Sequence, residues 1–133
     1  MRQNTIAQKT LTAAELGPRL PAIRAKLHAQ RQFRKEQLDY LTMDATEAIV
    51  TSDHERLQIT RALESAAESA LREIEDAQQR LEQGGYGVCQ GCAEPIPWER
   101  LEALPMSKLC TSCQRLAELA SSRPQPARFG RAA

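Results

Sequence analysis

Apolar residues recur at three- and four-residue steps through most of this chain, a spacing that predicts helices rather than strands. The clearest stripe is Leu63, Ala66, Ala70, Ile74, Ala77 and Leu81, widened by Ala67 and Leu71. Ser52-Asp-His-Glu55 has the spacing of a capping box and puts the start of this helix near Asp53. Gly84-Gly85 supplies its C-terminal stop. Glu68 with Arg72, and Asp76 with Arg80, stand four apart in the favourable order for exposed ion pairs. At 1.5 Å per residue the helix is roughly 45 Å long.

A second, less regular stripe precedes it: Leu20, Ile23, Leu27, Phe33, Leu38 and Leu41, interrupted by Gln30 and Gln37. Pro21 suits the first turn of that helix. Upstream, Thr12-Ala-Ala-Glu15 is a capping box for a short helix from Ala13 that Gly17-Pro18 would end. Residues 42–52 read as a connection, because Ile49, Val50 and Thr51 are β-branched and disfavour helix. Two long helices with a short connection predict an antiparallel hairpin, with an ordinary folded-back bundle as the alternative. The chain then divides into a partly disordered N-terminal segment (1–18), a coiled-coil hairpin (19–84, tip about 42–53), a cysteine-bearing segment with a short helix (85–120) and a disordered Pro/Arg-rich tail (121–133).

Composition narrows this picture. Of the 133 residues 41% are hydrophobic but only 4% aromatic, which suits helix packing better than a β-sandwich. The net charge of +1 supplies no global field toward nucleic acid or membrane. Locally the first thirty-five residues are mostly basic, the stretch after Asp53 leans acidic, and the tail after Glu118 carries only Arg. No apolar run approaches the roughly 20 residues that span a bilayer. The N-terminus lacks the apolar stretch of a secretory signal, so the expectation is a cytoplasmic protein with reduced cysteines.

The four cysteines carry the chemistry. Cys89-x-x-Cys92 and Cys110-x-x-Cys113 are two knuckles separated by seventeen residues. Brought together they present four thiolates, the tetrahedral sulfur cage that zinc prefers. Gly87 and Gly91 are placed to supply unusual backbone angles in the first knuckle. Four protein ligands leave no open position for water, so one structural Zn2+ is expected rather than a catalytic metal. A four-sulfur site could also take iron, and either CxxC alone could be a redox pair. His28 and His54 stand alone and read as surface residues. With no nucleophile elbow or Gly-rich phosphate loop, no enzyme is expected.

Gly85-Tyr-Gly-Val-Cys89-x-x-Cys92, then Ile96, Arg100-Leu-Glu-Ala, Pro105 and Cys110-x-x-Cys113-Gln resemble the four-cysteine zinc finger of the DksA/TraR family. The likeness runs upstream into Ile74-Glu-Asp-Ala-Gln-Gln-Arg-Leu-Glu and covers about residues 55–116. It implies a mostly α fold: a long antiparallel two-helix coiled-coil hairpin with a small four-cysteine zinc-finger domain and a short C-terminal helix. It also implies a bacterial transcription regulator that binds RNA polymerase directly, without a DNA operator. The finger would sit at the rim of the secondary channel. The hairpin would enter it, with acidic tip residues approaching the catalytic metal region and altering promoter-complex lifetime, often together with ppGpp. The family's two tip aspartates, counted back from the first cysteine, fall here at Thr46 and Ile49. Asp44-x-x-Glu47-Ala48 offers two carboxylates in a shifted register, and Asp53 a third, which could equally be an N-terminal helix charge. Positions associated with ppGpp fall at Glu73, Leu104 and Gln114; none is cationic, which speaks against ppGpp as a partner.

A direct DNA-binding zinc finger is the alternative from a different class. Its support is Arg115, Arg123, Arg128 and Arg131 in and before the tail, while the finger sets Arg100 and Lys108 against Glu94, Glu99 and Glu102. Sequence-specific DNA binding is therefore not expected. A family member that kept the fold and lost channel activity is a further alternative. The chain is expected to be a monomer.

Overall fold

The computed structural model describes residues 10–122, and the expectations for residues 1–9 and for the tail from Arg123 lie outside them. The chain opens with α1 (Ala13–Leu16), whose cap Thr12 accepts from the Glu15 N–H at 3.3 Å. Gly17 and Pro18 do not stop the chain's winding. They form a 3-10 turn (Gly17–Arg19) leading straight into α2 (Leu20–Val50). Pro21 sits in the first turn of α2, where its missing N–H costs nothing.

Helix α2 runs through most of the segment expected as a connection, and only Thr51, Ser52 and Asp53 separate it from α3 (His54–Gln83). The β-branched run lowers helix propensity by a few tenths of a kcal/mol per residue, less than burial of Leu41, Ala45 and Ala48 against α3 returns. Ser52 makes the reversal with a positive φ of 54°. The cap is Asp53 rather than Ser52: its carboxylate accepts the Arg56 N–H at 3.1 Å. At the far end Gly84 adopts a left-handed φ of 85° and closes α3.

Helices α2 and α3 pack as a long antiparallel hairpin. The α2 seam follows Leu20, Ile23, Leu27, Gln30, Arg34, Gln37, Leu41, Asp44 and Ala48, steps of three and four that define a coiled-coil register. Gln30 and Gln37 therefore belong to the seam, whereas Phe33 is 60% exposed on another face. On α3 the seam runs through Leu57, Thr60, Glu64, Ala67, Leu71, Ile74, Ala77 and Leu81, with Arg56, Ala70, Gln78 and Arg80 half-buried beside it; Leu63 and Ala66 are exposed outside the seam. The ion pairs expected along α3 are replaced: Arg72 donates to Ser69 Oγ, and Arg80 turns toward the downstream loop.

The remaining elements are α4 (Trp98–Ala103) and α5 (Thr111–Ser122). One core joins the base of the hairpin to the cysteine segment. Ile23, Leu27, Ile74, Ala77 and Leu81 meet Tyr86, Cys89, Ile96 and Leu101 there. Tyr86 donates to the Pro105 carbonyl at 2.9 Å, and burial pushes its phenol above the usual range despite the opposing Arg80 charge. Lys26 donates to the Glu102 carbonyl at 2.9 Å, and Arg80 to that of Met106 at 3.1 Å, so both helices reach across. Arg19 stacks 4.7 Å over the Trp98 ring. Leu27 is fully buried at the centre of this junction. Leu27→Ala should lower the unfolding free energy by about 2–5 kcal/mol, read from the urea midpoint followed by circular dichroism.

Candidate metal centre and hairpin tip

The first knuckle is a tight reversal. Cys89 N–H donates to the Glu94 carbonyl at 2.8 Å and Ala93 N–H to the Cys89 carbonyl at 2.9 Å. A single antiparallel bridge, Val88 to Pro95, closes its neck. Gly87 takes a positive φ of 87°, as its type allows, and a side chain there would also press on Leu16. Gly91 serves a different purpose from the one expected. Its φ is ordinary, and the left-handed residue of the knuckle is Ala93 at 62°. Gly91 is required by space, because a Cβ there would stand 2.9 Å from Cys113 Sγ. The second knuckle lies at the N-terminus of α5, and Gln90 N–H donates to the Lys108 carbonyl at 2.8 Å to bind the two together.

This folding brings Cys89, Cys92, Cys110 and Cys113 together, with all four sulfurs within 4.8 Å of one another. Cys92 and Cys110 sulfurs are 3.9 Å apart, close to the ~3.8 Å edge of a tetrahedron with Zn–S bonds of about 2.3 Å. Backbone donors surround the buried sulfur: Cys110 N–H at 3.2 Å and Gly91 N–H at 3.4 Å both point to Cys89 Sγ. Burial works to raise the Cys89 thiol, but the N–H groups of Cys110, Cys92 and Gly91 outweigh it and bring it down to about 6. Cys113 goes the other way: the adjoining Cys110 and Cys89 sulfurs push it to about 12. Four thiols so arranged shed their protons together only around a cation, which compensates the crowded negative charge. The donor set fits one zinc ion, held as a closed structural site. His28 and His54 are exposed and join no metal-binding cluster among the described residues.

At the other end of the hairpin the structure places the tip candidates unequally. Asp44 is a seam position, its side chain 19% exposed, and it faces α3. Arg56 Nη2 and Nε donate to Asp44 Oδ1, and Thr60 Oγ donates to Oδ2 at 2.7 Å. The same guanidinium reaches Glu47 Oε2 at 2.9 Å. The Arg56 and Thr60 hydrogen bonds hold the Asp44 carboxyl below the usual carboxylate range, and Asp44 and then Glu47 raise the Arg56 guanidinium in turn. Asp44 and Glu47 are thus brought together, as shared acceptors of one cation. Asp53 lines the same groove as Asp44 and Arg56, but its carboxylate is occupied as the α3 cap. Sequence reasoning passed over Arg56. The signal available was the three–four alternation running on through Leu41, Asp44 and Ala48, which puts Asp44 against the other helix.

Glu73, Leu104 and Gln114 line one groove of about 390 Å3 between α3 and the finger. Arg80, Arg100 and Lys108 line it too, cations that the position count did not reach, but Glu73, Asp76 and Glu118 balance them. Arg80 and Arg100 are also committed to carbonyls of Met106 and Leu109.

Residues 84–119 match the model of the prokaryotic DksA/TraR C4-type zinc finger. The chain is 40% identical over 58 residues to an uncharacterized protein of Aquifex aeolicus, 44% of this chain and 40% of that one. It is 39% identical over 49 residues to the RNA polymerase-binding transcription factor DksA of Haemophilus influenzae, 37% of this chain and 34% of that one. The matches thus span less than half the length of these curated relatives. The solved structure of transcription factor DksA2 from Pseudomonas aeruginosa superposes with a TM-score of 0.71 at 26% identity, covering 84% of this chain and 92% of that one.

Two outcomes follow from this geometry. Gly91→Ala should weaken zinc binding by about 10–100-fold through displacement of Cys113, measured by competition with a chromophoric chelator. Asp44 has a folded pKa below its unfolded value, so its contribution is present above about 3.9 and fades as pH falls through the lower folded value. The melting temperature of the parent should therefore exceed that of Asp44→Asn at pH 7, and the gap should close toward pH 2.

Proposed function

We propose that this chain, whose residues 84–119 match the DksA/TraR C4-type zinc finger, is a bacterial transcription regulator of that family that binds RNA polymerase directly. The finger docks at the rim of the secondary channel and the hairpin enters it, changing the lifetime of promoter complexes. The protein acts in the cytoplasm, by occupancy and contact, without catalysing a reaction.

The observation that carries this reading is the two-helix rod projecting from a metal-braced base, shared in shape with DksA2 over 84% of this chain. Helix α2 has 31 residues, about 46 Å at 1.5 Å per residue. It stays paired with α3 to its last turn, where Arg56 ties Asp44 and Glu47 to the opposite helix. Such a probe keeps its shape inside a narrow passage. Its working end is Glu47, whose side chain is 64% exposed, with Asp53 and the reversal beside it.

The Arg56 ion pair also favours a second reading, in which the chain binds polymerase but its tip has lost the family's effect. A neutralised carboxylate attracts a divalent cation weakly. Direct DNA binding is less well supported: among the finger's cations Arg100 is turned inward to the Leu109 carbonyl. The balanced charges of the groove around Glu73 and Gln114 speak against ppGpp, a phosphate-rich ligand.

Pull-down of core RNA polymerase by the full-length chain, beside an Asp44→Asn/Glu47→Gln variant, tests the proposal. Both should bind, and the parent alone should change promoter-complex lifetime. Binding by both with no lifetime effect from either selects the second reading. Salt-sensitive DNA binding without polymerase capture would overturn both.

A further inference from the structure

The loop between α4 and the second knuckle is held by its carbonyls. Tyr86 donates to that of Pro105, Arg80 to that of Met106, the Gln90 N–H to that of Lys108 and Arg100 to that of Leu109, all at 2.8–3.1 Å. The last of these differs from the others, because Leu109 and Cys110 share a peptide. The Leu109 carbonyl and the Cys110 N–H point in opposite directions from one rigid plane. Arg100 Nε holds the oxygen side at 2.9 Å, and Cys89 Sγ accepts from the nitrogen side at 3.2 Å. A single flat unit stands between a guanidinium and a sulfur of the metal site.

We propose that Arg100 is a positioning residue of the zinc site, acting on Cys89 through the Leu109–Cys110 peptide. Two effects support this role. A peptide fixed at its oxygen cannot turn, so the Cys110 N–H stays aimed at Cys89 Sγ and the Cys110 side chain leaves the backbone in one direction. A positive donor on the oxygen also polarises the amide, which makes the N–H opposite a stronger donor to a thiolate. The contact lengths agree. The Gly91 N–H meets the same sulfur at 3.4 Å, and the Cys113 N–H meets Cys110 Sγ at 3.5 Å. Among the described residues neither of those peptides has a cationic side chain on its carbonyl.

The setting of Arg100 suits this inward task. It lies in α4 next to Leu101, which is buried in the core shared with the hairpin, and its own carbonyl accepts the Leu104 N–H at 2.7 Å. Its backbone is therefore fixed on the hairpin side of the finger. Among the described residues no carboxylate pairs with its guanidinium, which leaves the full charge to the Leu109 carbonyl. The claim concerns the finger alone and stands or falls independently of polymerase binding.

Two substitutions of matched length separate the donor from the charge. Arg100→Met removes both, whereas Arg100→Gln puts an uncharged amide nitrogen where Nε stands. Competition of the full-length chain with a chromophoric chelator should show zinc affinity lowered by about 10–100-fold in Arg100→Met, with Arg100→Gln between it and the parent. In the cadmium-loaded protein the Cys110 amide proton should move upfield in the same order, as its bond to Cys89 Sγ weakens. Lys26→Met removes a donor to the Glu102 carbonyl, which belongs to no ligand's peptide, and should leave both readouts at the parent values. Parent-like zinc affinity in the Arg100 variants overturns the proposal, as does a Cys110 amide proton that does not move. Weakening by Lys26→Met equal to that by Arg100→Met also overturns it, since the effect is then a general loosening of the junction. Should Arg100→Met not fold, Arg100→Gln decides by the same two readouts.

Discussion

Four thiolates cannot share one small volume unless a cation sits among them, and this requirement organises the molecule. The segment carrying the cysteines has little apolar surface of its own: Tyr86, Ile96 and Leu101 are its main buried side chains. A core that small does not hold a unique fold without a staple. Zinc closes the two knuckles, and the closed finger then presents those three residues to Ile23, Leu27, Ile74, Ala77 and Leu81 at the base of the hairpin. Metal binding and helix packing are thus one cooperative unit. The direction in which the rod leaves the finger is fixed by that shared core and by the Lys26, Arg80 and Tyr86 hydrogen bonds to loop carbonyls.

Along the rod the basis of pairing changes. Near the base the seam is apolar, with Leu20, Ile23 and Leu27 facing Ala77 and Leu81. In the middle it turns polar, with Gln30, Arg34 and Gln37 supported by Arg34 donating to Gln37 at 2.9 Å and the Arg31–Glu75 pair at 3.6 Å. Polar seam residues contribute less than leucines: the Arg34–Gln37 bond lies within α2, Gln30 Oε1 is buried without a hydrogen-bond partner, and of these contacts the Arg31–Glu75 pair is the one that spans the two helices. Toward the end Leu41, Ala45 and Ala48 restore apolar contact, and the Asp44–Arg56–Thr60 network closes it. Asp44 is largely covered, so removing its partner would strand a charge. The tip is held in register by that penalty as much as by attraction.

The metal site and the hairpin were legible in the sequence because each is written as a local pattern. Two CxxC units and two helical stripes, the second ended by Gly84, need no knowledge of what lies opposite. What stayed hidden depends on facing partners. Residues 42–52 resemble a connection by propensity, yet Leu41, Ala45 and Ala48 find α3 and stay helical to Val50. Gln30 and Gln37 look like interruptions and are seam, whereas Phe33 and Leu63 look like core and are surface. A strict three–four count separates them, while a list of apolar residues does not. Gly91 reads in the sequence as a backbone device, and its reason is the Cys113 sulfur 2.9 Å from an added Cβ.

The same dependence on partners decides what the tip can do. Acidic residues three apart look like a site for a divalent cation when read as a motif. A cation, however, competes with whatever already neutralises the carboxylates, and here Arg56 reaches both Asp44 and Glu47. It does so from inside the hairpin, so the competition is with a tethered charge at high effective concentration. Of the two, Asp44 also accepts from Thr60 and is largely shielded from solvent, while Glu47 has a single partner and an exposed side chain. The weaker bond lies on the outside. A ligand arriving at the tip therefore meets Glu47 first, and it can recruit that carboxylate without unfastening the Asp44 seam that keeps the two helices together.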